Sequence, residues 1–495
     1  MLAAIAASTG SGWARGASGA PEVAPAWLVS WASPMAWQYG VARDATVREL
    51  ARLSIGGRSL RVRVSNAFGT APVTFAAGSV GISAGGAALD PGSARPLRFS
   101  GAPGITLAAG QMAYSDPVQL TVVAGQTLDM SLFVAGVAPV SVHPCCQSPV
   151  RSYFTPNSGG DRVGEPSGAP FSLADGWVRW VDAVDVSGAQ AGGAVVVMGD
   201  SIADGFNTPL RWTRVLNDRI QQLPPTDQVG VINEAITANT LTATAVNDST
   251  TGGGPPGIER LGRDVLSQPG LRTVVVAEGT NDLYFGATGA QVISGMQQVI
   301  AAVHAAGVRV IGTTILPRSG SEAWIAPKEA YRRQVNAWIR TSGAFDGVID
   351  LAHVTGDVYN GACSPQQMYP PFDSGDHLHP NPAGQTAMAD AVQTSAFGIP
   401  DAPPAPPLAS TRPTPGCPAP PVAGPSAATT TPSATPRDPP RPTTTASPVR
   451  RATGALLGAP TKPRWPGAAA VSLGAVVLAG AGALAARRAR RRPGR

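Results

Sequence analysis

Two hydrophobic rhythms divide this chain. From Trp27 to about Ser187, apolar and polar residues alternate in short runs broken by glycine: Leu60, Val62 and Val64 alternate with Arg61, Arg63 and Ser65, and Leu128, Met130 and Leu132 with Asp129, Ser131 and Phe133. Successive side chains of a strand point to opposite faces, so this rhythm predicts half-buried antiparallel sheet and an all-β, sandwich-like domain over residues 27–187. After Gly192-Gly193 the apolar runs become continuous, at Ala194 to Gly199, Val229 to Asn233, Arg272 to Ala277, Val308 to Thr313 and Val348 to Asp350. Runs of this kind fit strands buried on both faces of a parallel sheet. Between them, Gln291 to Ala306 and Pro327 to Thr341 have helical length and spacing, with Pro327 suited to a first turn. A last helix is expected from Pro382 to about Thr394, capped by Asn381. Strands alternating with helices predict a three-layer α/β/α domain over residues 194–398.

The ends of the chain follow neither rhythm. Residues 1–26 are small and apolar, like a secretion signal without a basic start, or a disordered N-terminus. Residues 401–466 are dominated by proline, threonine, alanine and serine, a composition that cannot bury enough apolar surface to fold and predicts an extended linker. Residues 467–486 carry no charge and are long enough for one transmembrane helix, and the arginines of residues 487–495 would then stay cytoplasmic. The expected location is the cell membrane, with both folded domains outside. The net charge of +6 belongs to these last segments, because residues 1–400 hold 24 basic and 29 acidic side chains. A nucleic-acid partner is therefore not expected.

Composition adds little else. Two lysines against 35 arginines, with abundant alanine and glycine, fit a GC-rich bacterial genome. Cys145, Cys146, Cys363 and Cys417 lack the paired spacing of a zinc site; in an exported protein, a bond from Cys145 or Cys146 to Cys363 is the expected disulfide. No cofactor or metal is called for.

The chemistry lies in polar turns that end the continuous runs. Gly199-Asp200-Ser201 closes the first and Glu278-Gly279-Thr280-Asn281-Asp282 the third, while Asp376-His377-Leu378-His379 follows far downstream. In open α/β sheets ligands bind outside the carboxyl ends of the strands, which is where Ser201 would sit. A serine hydroxyl needs a base to become a useful nucleophile. Ser201 as nucleophile, His379 as general base and Asp376 as the orienting carboxylate form one such unit. His377 competes for the role of base. Spacing favours His379, because an offset of three lets one turn fold carboxylate against imidazole. Asp204 and Asp282 read as turn braces. His304 in a helix and His353 in a loop read as structural, and His143 as a buried, hydrogen-bonded ring.

Gly199-Asp200-Ser201, Gly279-Thr280-Asn281-Asp282 and Asp376-His377-Leu378-His379 look like three of the four blocks of the SGNH (GDSL) hydrolase superfamily. The wider match, with Ser54-Ile55-Gly56-Gly57 and Ser65-Asn66-Ala67-Phe68-Gly69, resembles its secreted subfamily of arylesterases linked to xylan breakdown, in which a β-domain precedes the hydrolase. The resemblance implies a serine esterase, with an oxyanion hole formed by the Ser201 N–H, the Ala238 N–H and the Asn281 side-chain amide. Ala238 stands where the family has glycine, and its Cβ penalises any backbone conformation with positive φ. The expected substrate is an acyl ester of carbohydrate or lipid. One alternative is a catalytically impaired relative that binds carbohydrate at the surface. Another is a glycosidase using Asp373 and Asp376, which leaves Ser201 and Asn281 without a purpose.

Overall fold

The alternating half of the chain folds as antiparallel strands. These are β1 (Trp27–Ala32), β2 (Trp37–Arg52), β3 (Ser59–Ser65), β4 (Val73–Gly85), the short β5 to β8 at Ala88–Leu89, Arg95–Pro96, Ile105–Leu107 and Met112–Tyr114, β9 (Thr127–His143), β10 to β12 at Ser152–Phe154, Leu173–Asp175 and Val178–Arg179, and β13 (Val181–Ser187). One sheet runs β1-β13-β3-β8; the other runs β11-β10-β2-β9-β4-β5, with β12 on β9 and β6 and β7 on β4. Val62 and Val184 of the first share a core with Val47, Phe75, Val80 and Leu132 of the second. The computed structural model that shows this describes residues 27–144, 149, 151–206, 208–243, 253–357 and 367–406.

The polar side of these strands is not the solvent face that alternation predicts. Arg48, Arg63, Asp129 and Ser131 are as buried as their apolar neighbours. Arg48 donates to Ser131 Oγ and to the carbonyls of Ala87 and Glu165, which come down onto that face. Arg63 pairs with Asp182 at 2.7 Å. Polar groups with partners can be buried, and alternation in a sequence records polarity, not exposure.

Each continuous run forms a strand: β14 (Ala194–Gly199), β15 (Gly230–Asn233), β16 (Leu271–Ala277), β17 (Arg309–Thr313) and β18 (Gly347–Ile349). All pair in parallel, in the order β15-β14-β16-β17-β18. Helices α1 (Ser201–Asp204), α2 (Trp212–Ile220), α3 (Gly257–Arg260), α4 (Thr280–Phe285), α5 (Gly289–Ala305), α6 (Ala326–Thr341) and α7 (Pro382–Asp390) follow or separate the strands. Val195, Val197, Val275 and Ile311 pack with Trp212, Leu216 and Met388 on one face. Val196, Met198, Val274 and Val276 pack with Val292, Met296 and Val335 on the other. Both faces are covered, which is why these strands carry no alternation. The last helix ends at Asp390, earlier than its spacing suggests, and Thr394–Phe397 forms a separate 3-10 turn. His353, expected in a loop, opens a π-helical turn, His353–Asp357.

This strand order reverses direction between β14 and β16. A crevice opens at such a reversal, outside the carboxyl ends of the two strands. Ser201 follows β14 and Asn281 follows β16, so both reach that crevice.

The two halves share a core. Val29, Ala32 and Ala183 of the β-sheet half pack with Ala194, Val196 and Ile232. Ser54 Oγ donates to the Val231 carbonyl at 2.8 Å, and Asn217 Nδ2 donates to the Ser54 carbonyl at 3.1 Å. Nor does the fold stop at residue 398. The buried Arg219 guanidinium donates to the carbonyls of Ala402 and Pro403, at 2.9 and 2.7 Å, and Ala405 N–H donates to Asp390 at 2.7 Å. The four cysteines and residues 1–26, 407–466, 467–486 and 487–495 lie outside the described residues. Among the described residues no helix is long and apolar enough to cross a membrane.

Candidate active site

Ser201 owes its place to the acid before it. Asp200 leaves β14 in extended conformation and caps α1, its Oδ1 accepting from Ile202 N–H at 2.9 Å. Ser201 is therefore the first residue of a helix, where backbone N–H groups have no intrahelical acceptor and can face a ligand. Burial pushes the Asp200 carboxyl up to about 7, although the Ile202 N–H and Arg318 pull it down.

The downstream segment returns to this point. Ser201 Oγ lies 2.8 Å from His379 Nε2, and His379 Nδ1 lies 2.7 Å from Asp376 Oδ2. Asp376 Oδ1 accepts from the N–H groups of Leu378 and His379, at 3.0 and 2.8 Å. Partial burial raises the Asp376 carboxyl, but the His379 ring and these N–H groups outweigh it and hold Asp376 well below the usual carboxylate range. Asn381 fixes the loop from its far side: it caps α7 through Ala383 and Gly384 N–H and donates to the carbonyls of Pro371 and Asp373. Phe206 packs its ring 4.8 Å from the His379 ring.

The other candidates in this loop are committed elsewhere. His377 adopts φ +60°, and its Nδ1 lies 2.7 Å from Asp373 Oδ2. Asp373 Oδ1 accepts from Gly375 and His377 N–H. Asp373 and Asp376 each serve a histidine, an arrangement that does not suit a glycosidase pair.

The loop after β15 forms the remaining wall. It is tied to the nucleophile strand where Ile236 N–H donates to the Gly199 carbonyl at 2.9 Å. Two residues on, Ala238 has φ +64°. This is the left-handed region that the family's glycine would enter without strain. Asn281 Nδ2 donates to the Asn239 carbonyl at 2.8 Å, so the amide and the Ala238 loop meet. A primary amide has a second N–H for another acceptor. Asp282 accepts from the N–H groups of Leu241 and Thr242 at 2.8 and 2.9 Å, and Asp204 accepts from Thr237. Both acids are braces, as expected, but they brace this loop and not their own turns.

Ser201, His379 and Asp376 are thus joined directly, and Ala238 and Asn281 through Asn239. Residues without a sequence signal also take part. Arg318, 4 % exposed, donates to the Thr280 carbonyl and hydroxyl and lies between the rings of Tyr284 and Trp324. It holds the turn that carries Asn281. His143 is buried, as expected, but its Nε2 lies 3.4 Å from Asp204.

Fold and site define the class: an α/β hydrolytic enzyme that acts on ester bonds, with Ser201 and Asn281 at the reversal point of its parallel sheet. Residues 197–387 match the model of the GDSL-like Lipase/Acylhydrolase family. Similar solved structures include a GDSL-like lipase from Bacteroides thetaiotaomicron, 19% identical over 41% of this chain and 88% of that one, TM-score 0.31. Another is a catalytic mutant of an acetylxylan esterase from Geobacillus stearothermophilus, 18% identical over 42% of this chain and 95% of that one, TM-score 0.33. No curated protein matches the chain.

Proposed function

We propose that this enzyme cleaves acyl esters through an acyl-enzyme on Ser201. The unbroken line Ser201 Oγ, His379 Nε2, His379 Nδ1, Asp376 Oδ2, with gaps of 2.8 and 2.7 Å, carries this reading. His379 takes the hydroxyl proton as Oγ attacks the ester carbonyl, and Asp376 stabilises the imidazolium. The carbonyl oxygen becomes an oxyanion, received by the N–H groups of Ser201 and Ala238 and the second N–H of Asn281. His379 then protonates the departing alcohol, and a water activated by the same ring releases the acid.

The substrate we propose is an acylated carbohydrate or lipid outside the cell, with residues 467–486 as a membrane anchor. Recovery of the full chain in salt-washed membranes, and its loss on removing residues 467–495, tests the anchor. Hydrolysis of a short-chain p-nitrophenyl ester tests the chemistry. Ser201→Ala should lower kcat by roughly four orders of magnitude or more while circular dichroism stays unchanged, and near-normal turnover in the folded variant refutes the assignment.

A further inference from the structure

One buried carboxylate links the β-sheet half of the molecule to the oxyanion loop. Asp204 ends α1, three residues after Ser201, and is 2 % exposed. Its Oδ2 accepts from the Thr237 N–H at 3.2 Å and the Thr237 hydroxyl at 2.8 Å. Its Oδ1 faces Arg151 Nη2 at 3.1 Å and His143 Nε2 at 3.4 Å, both from the β-sheet half, and Arg211 Nη2 at 3.6 Å.

Both partners from the sheets are themselves fixed. Arg151 N–H donates to the Asp175 carbonyl at 2.9 Å, and its own carbonyl accepts from Leu50 N–H at 2.8 Å. His143 ends β9, and its Nδ1 lies 2.9 Å from the Pro34 carbonyl, so the ring is held at that edge too. At the other end of the clamp, Thr237 immediately precedes Ala238 with its φ of +64°. An L-residue in that region relaxes unless its neighbours over-determine it. The clamp therefore ends on a strained backbone unit whose N–H direction matters for the reaction.

We propose that Arg151 and His143 are positioning residues: by holding Asp204 they hold Thr237, and so aim the Ala238 N–H at the oxyanion. The β-sheet half is thereby part of the catalytic centre. This rests on the reading of Ala238 as an oxyanion donor. Without Arg151, Asp204 Oδ1 keeps only the longer contacts to His143 and Arg211, and the acceptor of Thr237 is held less firmly. Arg211 still balances the charge, which avoids the large cost of an unpaired buried ion.

The test uses the full chain and p-nitrophenyl acetate, with kcat and KM measured for Arg151→Met, Arg151→Lys, Thr237→Val and Ser201→Ala. Arg151→Met should lower kcat about tenfold with KM within about twofold, since the oxyanion exists only in the transition state. Arg151→Lys should recover part of the loss, and Thr237→Val should lower kcat a few-fold. In an Ala238→Gly background the Arg151→Met loss should shrink to under about threefold, because glycine holds positive φ unaided. An unchanged kcat in folded Arg151→Met, a loss confined to KM, or an equal loss with and without Ala238→Gly overturns the proposal. If Arg151→Met does not fold, Thr237→Val decides, and an unchanged kcat there is equally fatal. Wild-type turnover in Ser201→Ala would instead remove the underlying site assignment.

Discussion

Ala238 is where one residue's conformation and the chemistry we propose meet. Its φ of +64° costs an L-residue roughly 1–2 kcal/mol relative to the right-handed regions, a cost glycine does not bear. Ala238→Gly should therefore raise the melting temperature, while the Asp204 clamp, which already aims the N–H, keeps kcat within about twofold of the wild type. A several-fold higher kcat in the glycine variant would mean that the clamp leaves the alanine N–H poorly aimed. The position was legible from the resemblance, and its strain was foreseeable from the Cβ, but the angle itself was not. The Asp376–His379 offset was also legible, because an interaction three residues apart is local. Nothing local links Arg151 to Asp204, 53 residues away, or Arg318 to Thr280, 38 residues away.

At the scale of elements, the parallel strands fall within one residue of the apolar runs that predict them, since strands buried on both faces write their limits in composition. The antiparallel strands do not write theirs, because their polar faces are buried as well. Glu49 on β2 shows the consequence. Its Oε1 accepts from Ser152 Oγ and Arg179 N–H, whereas the buried Oε2 has no hydrogen-bond partner among the described residues. Burial raises its carboxyl from 4.5 to about 8, against the opposing pull of Arg179 and Ser152. The folded state thus binds a proton that the unfolded chain releases. The stabilisation is complete below pH 4.5 and is lost as pH rises toward about 8. Melting curves should show Glu49→Gln gaining on the wild type from pH 5 to pH 8, and a gap that does not change with pH would contradict this. The chain end makes a second element-scale prediction. Truncation after residue 400 strips Arg219 of its Ala402 and Pro403 acceptors and should lower the melting temperature by several degrees. Truncation after residue 406 should leave it unchanged. Equal melting temperatures for the two truncations would show that the contacts contribute nothing.

For the whole molecule, the two rhythms of the sequence suggest two domains, yet Val29, Ala32 and Ala183 complete the core of the parallel-sheet half. Composition distinguishes kinds of strand; it does not reveal which surfaces meet. Residues 189–406 expressed alone should be insoluble or melt far below the longer chain, because the apolar surface under β1 and β13 would face water. A soluble, fully active fragment of that length would show that the β-sheet half is dispensable. The central claim is that Ser201 is the nucleophile. The most direct measurement is to treat the enzyme with a fluorophosphonate, which modifies activated serines, and to locate the adduct by peptide mass spectrometry. The account predicts one adduct per chain, on the peptide containing Ser201, and none in His379→Ala at the same exposure. An adduct on another residue, or equal labelling of Ser201→Ala, would contradict it.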